Sequence, residues 1–133
     1  MAALVDAHLA AEDAGDLDAA VAGYTEDVEH DVVGAPDGPL RGPAAARRRY
    51  EQLLRDVRTE RLVEVRRFYA EDACVVEHEC AAAVLGGFGG LPGRGRSVRF
   101  RMLHVFEFRG GQISRENVWM DTATVLAQLA AAG

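Results

Sequence analysis

The amino-acid sequence predicts an α+β domain, and three observations carry that prediction. Helical spacing of apolar residues fills most of the first 56 positions, period-two alternation takes over between residues 59 and 121, and Gly110–Gly111 joins the last two alternating runs. Helices kept apart from strands in this way define the class, because each layer must bury one face against the other. The chain has 133 residues, enough for one domain (1–133) with one sizeable core. Its hydrophobic content of 49% sets it apart from disordered chains.

The first helix is expected over 2–13, where Leu4, His8 and Leu9 share a face and Gly15 acts as a stop. His8 therefore points toward the core, either as a structural histidine or as part of a site. Asp16 can cap a second helix over 17–24 that ends at Tyr24. The segment 25–33 reads as extended or irregular, and its Asp31 is either a turn former or a functional carboxylate. Glycines and prolines make 34–42 a loop, and Pro43 suits the first turn of a third helix over 43–56. Tyr50 lies on that helix's apolar face, and Arg47, Arg48 and Arg49 are expected mostly in solvent.

Strands are expected at about 59–70, marked by Val63 and Val65, and at 73–84, 97–108 and 112–121. In the second, Cys74, Val76, His78, Cys80 and Ala82 share a face. In the third, Phe100, Met102, His104 and Phe106 do. In the fourth, alternation groups Asn117, Trp119 and Asp121, with Glu116 on the opposite side. The glycine-rich stretch 86–96 lacks a Gly-Lys-Ser/Thr and is a hairpin connection or a lid carrying Phe88 and Leu91. A helix over about 122–131 closes the chain.

Composition excludes several function classes. A net charge of −6 with dispersed acids argues against nucleic acid as a partner. No apolar run is long enough to span a membrane. The N-terminus has no basic region and carries acids early, unlike a secretory signal, so a soluble, cytoplasmic protein is expected. Every one of the fifteen cationic residues is arginine, which rules out a lysine Schiff base. Cys74 and Cys80 on one strand would stand roughly 20 Å apart, too far for a disulfide. There is no His-Glu-x-x-His and no Cys-x-x-Cys, and Glu77, His78 and Glu79 alternate across a strand, so no metal is expected. Ser97 and Ser114 lack a nucleophile-elbow context.

What remains is acid–base work by histidine and aspartate in an apolar cavity. His78, His104, Asn117 and Asp121 stand among Phe100, Met102, Phe106 and Trp119, and buried polar groups need partners or line a cavity. Asp121 also stands where an N-cap of the last helix would stand.

The motifs GDLDAAVAGYTEDVEHDVVG (15–34), LRGPAAARRRY (40–50), GRSVRF (95–100) and HVFEFRGGQISRENVWMD (104–121) occur in an order that resembles the NTF2-like α+β cone fold. The ending DTATVLAQL (121–129) is similar to the SnoaL-like polyketide cyclase branch. The resemblance implies N-terminal helices on a curved, mostly antiparallel sheet, a short C-terminal helix, a conical pocket and a homodimer. It also implies a small hydrophobic substrate and no cofactor. By matched position it makes Asp121 the general base and His104 the donor to an enolate oxygen, with Asp31 and His8 at positions used by ketosteroid isomerases. Trp119, Asn117, His78, Phe100, Met102, Tyr24 and Tyr50 would shape the pocket. The implied activity is intramolecular cyclisation or isomerisation by proton abstraction next to a carbonyl, in polyketide or related secondary metabolism. A non-catalytic binding dimer and an epoxide-opening enzyme using Asp31 and Asp121 are the alternatives.

Overall fold

The computed structural model describes residues 1–131. Helix α1 (Ala2–Ala14) stops at Gly15, whose φ of 72° lets the Gly15 and Asp16 amides turn back onto the carbonyls of Glu12 and Ala11. Helix α2 (Leu17–Ala22) is capped by Asp16, which accepts from the Ala19 amide at 3.1 Å. Strands β1 (Tyr24–Val32) and β2 (Leu40–Arg41) lead into α3 (Pro43–Asp56), with Pro43 in its first turn. Long strands β3 (Val57–Tyr69) and β4 (Ala73–Val84) follow, then the short pair β5 (Gly87–Phe88) and β6 (Leu91–Pro92). The chain finishes with β7 (Arg96–Arg109), β8 (Gln112–Met120) and α4 (Thr122–Ala131). Among the described residues no helix is long and apolar enough to cross a membrane.

Six strands form one curved sheet in the order β2-β1-β8-β7-β4-β3. All neighbours are antiparallel except β1 and β8. The segment expected to be extended or irregular is thus extended, as a strand, and it lies beside the last strand. Val28 and His30 turn inward and are buried, while Glu29 and Asp31 turn outward. The helices cover the inner face, where Val5, Tyr24, Tyr50, Val76, Phe106 and Ile113 make the main core.

Four local features go beyond or against the sequence reading. The β3 register shifts twice, between Thr59 and Arg61 and between Glu64 and Arg66, so Val63 and Val65 are 37% and 40% exposed and Leu62 faces inward. Arg49 is buried rather than solvated. Its guanidinium donates to Asp37 at 2.6 Å and to the Gly38 carbonyl at 2.9 Å, tying the loop to α3. Phe88 and Leu91 form no lid over the main cavity; they pack with Val84, Val98, Val125 and Leu129 in a second apolar cluster under α4.

The fourth, a correction, concerns β8 and decides the site. Gly110 and Gly111, with φ of 59° and 76°, form the two-residue turn, pairing Arg109 with Gln112 and Phe108 with Ile113. The next pair is Glu107 with Arg115, so Ser114 is an extra residue on β8. Beyond that bulge the faces exchange, because side chains alternate with a period of two. Glu116 lies opposite Phe106 and Val118 opposite His104. Glu116 is therefore on the helix-covered face, and Asn117 and Trp119 are on the other.

Candidate functional site

Between the helices and the inner sheet face lies a cavity of about 150 Å³. Its walls are mostly apolar, supplied by Leu9 and Leu17, by Leu53 and Leu54 of α3, and by Leu62, Phe100, Met102, Val118 and Met120 of the sheet. Polar groups converge on it from five elements: Glu12 of α1, His30 of β1, Tyr50 of α3, His104 of β7 and Glu116 of β8. An apolar pocket with a few convergent polar groups has the form of a small-molecule site.

Glu116 organises that convergence. Its side chain is completely buried and receives donors on both oxygens. Tyr50 Oη donates to Oε2 at 2.6 Å, and His30 Nε2 donates to the same oxygen at 2.9 Å. Tyr24 Oη donates to Oε1 at 3.3 Å, and His8 Nε2 is in close contact with Oε1. Tyr24 and Tyr50 also touch, Oη to Oη, at 3.0 Å. A carboxylate can be buried at tolerable cost only when paired and hydrogen-bonded in this way.

The partners fix the protonation of His8. Its Nδ1 lies 2.8 Å from the Ala20 carbonyl, which can only accept, so Nδ1 carries a proton. Its Nε2 faces two carboxylates, Glu116 and, at 3.3 Å, Glu12. With acceptors at both nitrogens the ring is an imidazolium. Burial alone would lower the His8 pKa, but the charge of Glu116 and the hydrogen bonds to Glu116 and Glu12 outweigh it and raise the value well above 6.5. Burial would conversely raise Glu116. The His8 charge and the hydrogen bonds from His30 and His8 overcome it and hold the carboxyl well below 4.5. Both tyrosines are pushed well above 10 by burial and by the neighbouring Glu116 charge, so they stay protonated as donors.

His104 faces the cavity with its ring stacked on Phe106, centroids 5.7 Å apart. Its Nδ1 is buried without a partner, which leaves Nε2 as the atom that can meet a ligand. Cys80 also lines the cavity, but burial, with the Glu12 charge, pushes its thiol up to about 12, so it is no nucleophile at neutral pH. His8, Glu12 and Glu116 are the residues that could hold a metal ion, their ligand atoms lying within 4.8 Å of one another. An ion there would have to displace the Nε2 proton of His8, which already bridges the two carboxylates.

The sequence-derived residues divide sharply. His8, Tyr24 and Tyr50 belong to the buried cluster, and His104, Phe100 and Met102 line the cavity. His78 stands behind His104, rings edge to face at 5.7 Å, and lines a separate open groove with Asp6, Glu64 and Arg67. Burial and the nearby His104 lower its pKa. Asp31, Asn117 and Trp119 lie on the outer sheet face, where Asn117 donates to Asp31 at 3.1 Å and Trp119 donates to Asn117. Asp121 is exposed and caps α4, accepting from the Thr124 amide at 3.3 Å and the Thr124 hydroxyl at 2.6 Å. None of these four lines the cavity.

Sequence reasoning missed Glu116, His30 and Glu12. Strict alternation from Phe108 would have buried Arg115 opposite Phe106, while the bulge buries Glu116 there instead. Either register buries a charge, so hydrophobicity could not choose between them. The available signal was complementarity, since His8 and the alternating Val28–His30 pair already supply inward partners for an acid.

Comparison with known proteins agrees with this architecture. The family model for SnoaL-like polyketide cyclases matches residues 2–129. No curated protein sequence matches the chain. A Pseudomonas putida KT2440 structure described as a candidate polyketide cyclase is 26% identical, covers 95% of each chain and superposes with a TM-score of 0.85. An epoxide hydrolase of the LEH-like type from M. tuberculosis is 23% identical over 96% of this chain and 87% of that one, with a TM-score of 0.73. An NTF2-like protein from Burkholderia thailandensis E264 is 22% identical over 96% and 94%, with a TM-score of 0.77. The last two likenesses speak to the NTF2-like fold alone.

Proposed function

The chain belongs to the SnoaL-like polyketide cyclase family, and from that premise we propose that it is an acid–base enzyme of polyketide or related secondary metabolism. It draws a proton from carbon next to a carbonyl of a small hydrophobic substrate and so promotes intramolecular cyclisation or isomerisation. The observation that carries this reading is the buried Glu116 carboxylate, held by two histidines and two tyrosines at the inner end of an apolar cavity.

In this reading Glu116 alone is a poor base, because its donors hold its pKa low. In the Glu116–His30 pair, joined at 2.9 Å, His30 Nδ1 has no partner and takes the proton, while Nε2 keeps its own proton on the Glu116 carboxylate. The His8 imidazolium and the two tyrosines keep the carboxylate in place. His104, on the neighbouring strand of the same sheet face, donates to the oxygen that gains charge as the enolate forms. The apolar walls exclude water and strengthen each of these interactions. Asp121 serves as a helix cap and Asp31 as part of the outer-face network. The epoxide-opening alternative is less supported: Asp31 has an arginine, Arg115, at 3.7 Å, but neither it nor Asp121 lines the cavity. We also assign assembly as a homodimer to the outer sheet face, where Trp119 is 52% exposed beside the pair Leu103; light scattering tests it.

The test is deuterium exchange at the α-carbon of cyclic β-keto esters in heavy water, followed by NMR. Wild type should exceed buffer, and Glu116→Gln and His30→Gln should each lose roughly a hundredfold or more, the scale of general acid–base catalysis. Exchange no faster than buffer across the set, or variants as fast as wild type, sinks the reading in favour of a binding protein.

A further inference from the structure

Strand β7 outruns its neighbour. β8 ends at Met120, opposite Met102, so residues 96–101 of β7 have no strand on that side. A free edge of this kind leaves backbone donors and acceptors open. Here α4 and the residue before it close the edge. The Asp121 amide donates to the Arg101 carbonyl at 3.0 Å. The Gln128 carboxamide then takes the place of a strand residue. Its Oε1 accepts from the Arg99 amide at 2.9 Å, and its Nε2 donates to the Arg99 carbonyl at 2.6 Å. Arg96 donates to the Leu129 carbonyl at 3.0 Å, at the end of α4 where carbonyls lack helical partners.

The apolar contacts beneath this seam are separate from the main core. Val125 and Leu129 of α4 pack with Val84 and Val98 in their own cluster, and Phe100 packs against it. Phe100 also lines the main cavity, as does Met120, the last residue of β8. Phe100 is thus shared between the cavity wall and the underside of α4. A helix of ten residues is marginal by itself in water. Only Asp121 connects it to β8, and the Gln128 bonds are exposed. Elements held by few buried side chains and by solvent-exposed hydrogen bonds are the ones that open first.

We propose that α4 is a hinged flap on the cavity, latched by Gln128 to the free edge of β7. It swings about Asp121 while the main core stays folded, and so uncovers Phe100 and the space behind it. This rests on the proposed function only in taking the cavity as the place a ligand must reach, and its test needs neither ligand nor turnover. Cys80 is a built-in reporter. It lines the cavity opposite Phe100 on the neighbouring strand, whereas Cys74 lies in the main core. The probe is methyl methanethiosulfonate, an uncharged thiol reagent, applied to the full chain at neutral pH with each cysteine followed by peptide mass spectrometry. Amide hydrogen exchange is read in parallel.

In wild type, Cys80 should be labelled roughly tenfold or more faster than Cys74, and the amides of Arg99 and α4 should exchange faster than those of Val76 and Phe106 by a similar factor. Gln128→Leu keeps the bulk and removes both bonds to Arg99. It should speed Cys80 labelling and Arg99 exchange about thirtyfold, the worth of two hydrogen bonds, with Cys74 unchanged. Arg96→Met should speed both about tenfold. Arg49→Met weakens the fold elsewhere, at α3 and its loop, and should leave Cys80 labelling within about twofold of wild type. Circular dichroism melts check that each variant is folded. The inference is overturned if Gln128→Leu leaves Cys80 unchanged, or if Cys80 and Cys74 speed up together. It is also overturned if Arg49→Met acts as strongly as Gln128→Leu, or if Arg99 and α4 exchange no faster than the core. Proton exchange by the Glu116–His30 pair can fail while these rates hold, and the reverse, so the two ideas fall separately.

Discussion

Replacing Glu116 with glutamine removes one charge and almost no volume, so its cost isolates the electrostatics of the buried cluster. The carboxylate is completely buried and accepts from His8, His30, Tyr50 and Tyr24. A glutamine offers one oxygen in place of two and aims an NH₂ at groups that are themselves donors. Breaking a buried ion pair from one side costs about 3–5 kcal/mol. His8 can relieve part of this by shedding its proton, which argues for the lower end, about 3 kcal/mol. For a domain of this size the midpoint of thermal unfolding should fall by roughly 10–15 °C. The pH dependence supplies a second check. The folded pKa of Glu116 lies below 4.5, so its stabilisation is present above 4.5 and lost as pH falls through the folded value. The folded pKa of His8 lies above 6.5, so its stabilisation is complete below 6.5 and lost as pH rises through the folded value. The gap between wild type and Glu116→Gln should therefore be widest near pH 5.5 and narrower near pH 3 and pH 9. Urea unfolding at these three values measures it. A gap under about 1 kcal/mol near pH 5.5, or one that does not change with pH, would refute the ion pair as described.

Three further outcomes are expected. Asp121→Ala should cost about 1 kcal/mol of stability, the worth of an N-cap, and leave α-proton exchange within twofold of wild type; a hundredfold loss with an intact melt would return the base role to Asp121. Deleting Ser114 should remove the bulge and turn Glu116 outward, giving a chain without a sharp urea transition, whereas Ser114→Ala should unfold much like wild type. Arg49→Met should lose about 1.5–3 kcal/mol in chemical denaturation, since it cuts charge-assisted bonds from α3 to the loop at Asp37 and Gly38; an unchanged midpoint would place Arg49 in solvent after all.

Much of the fold could be read from local chemistry. The stop at Gly15, the cap at Asp16, the proline start at Pro43 and the turn at Gly110–Gly111 are each set by residues within a few positions of where they act. Uninterrupted alternation likewise placed Cys74 to Ala82 and Phe100 to Phe106 on their true faces. Reading failed where a strand gains a residue. Ser114 exchanged the faces of β8.

The sequence by itself determined the class of the fold, the extent of most elements and the presence of His8, Tyr50 and His104 on buried faces, because helical and strand periodicities are properties of neighbouring residues. The tertiary structure alone decided that Glu116 rather than Asp121 meets those side chains. Its partners come from α1, β1 and α3, 86 to 108 residues away along the chain for His30 and His8 and 66 for Tyr50. A carboxylate so distant in sequence is selected by the donors that close around it in space, and a one-residue bulge is what turns it toward them.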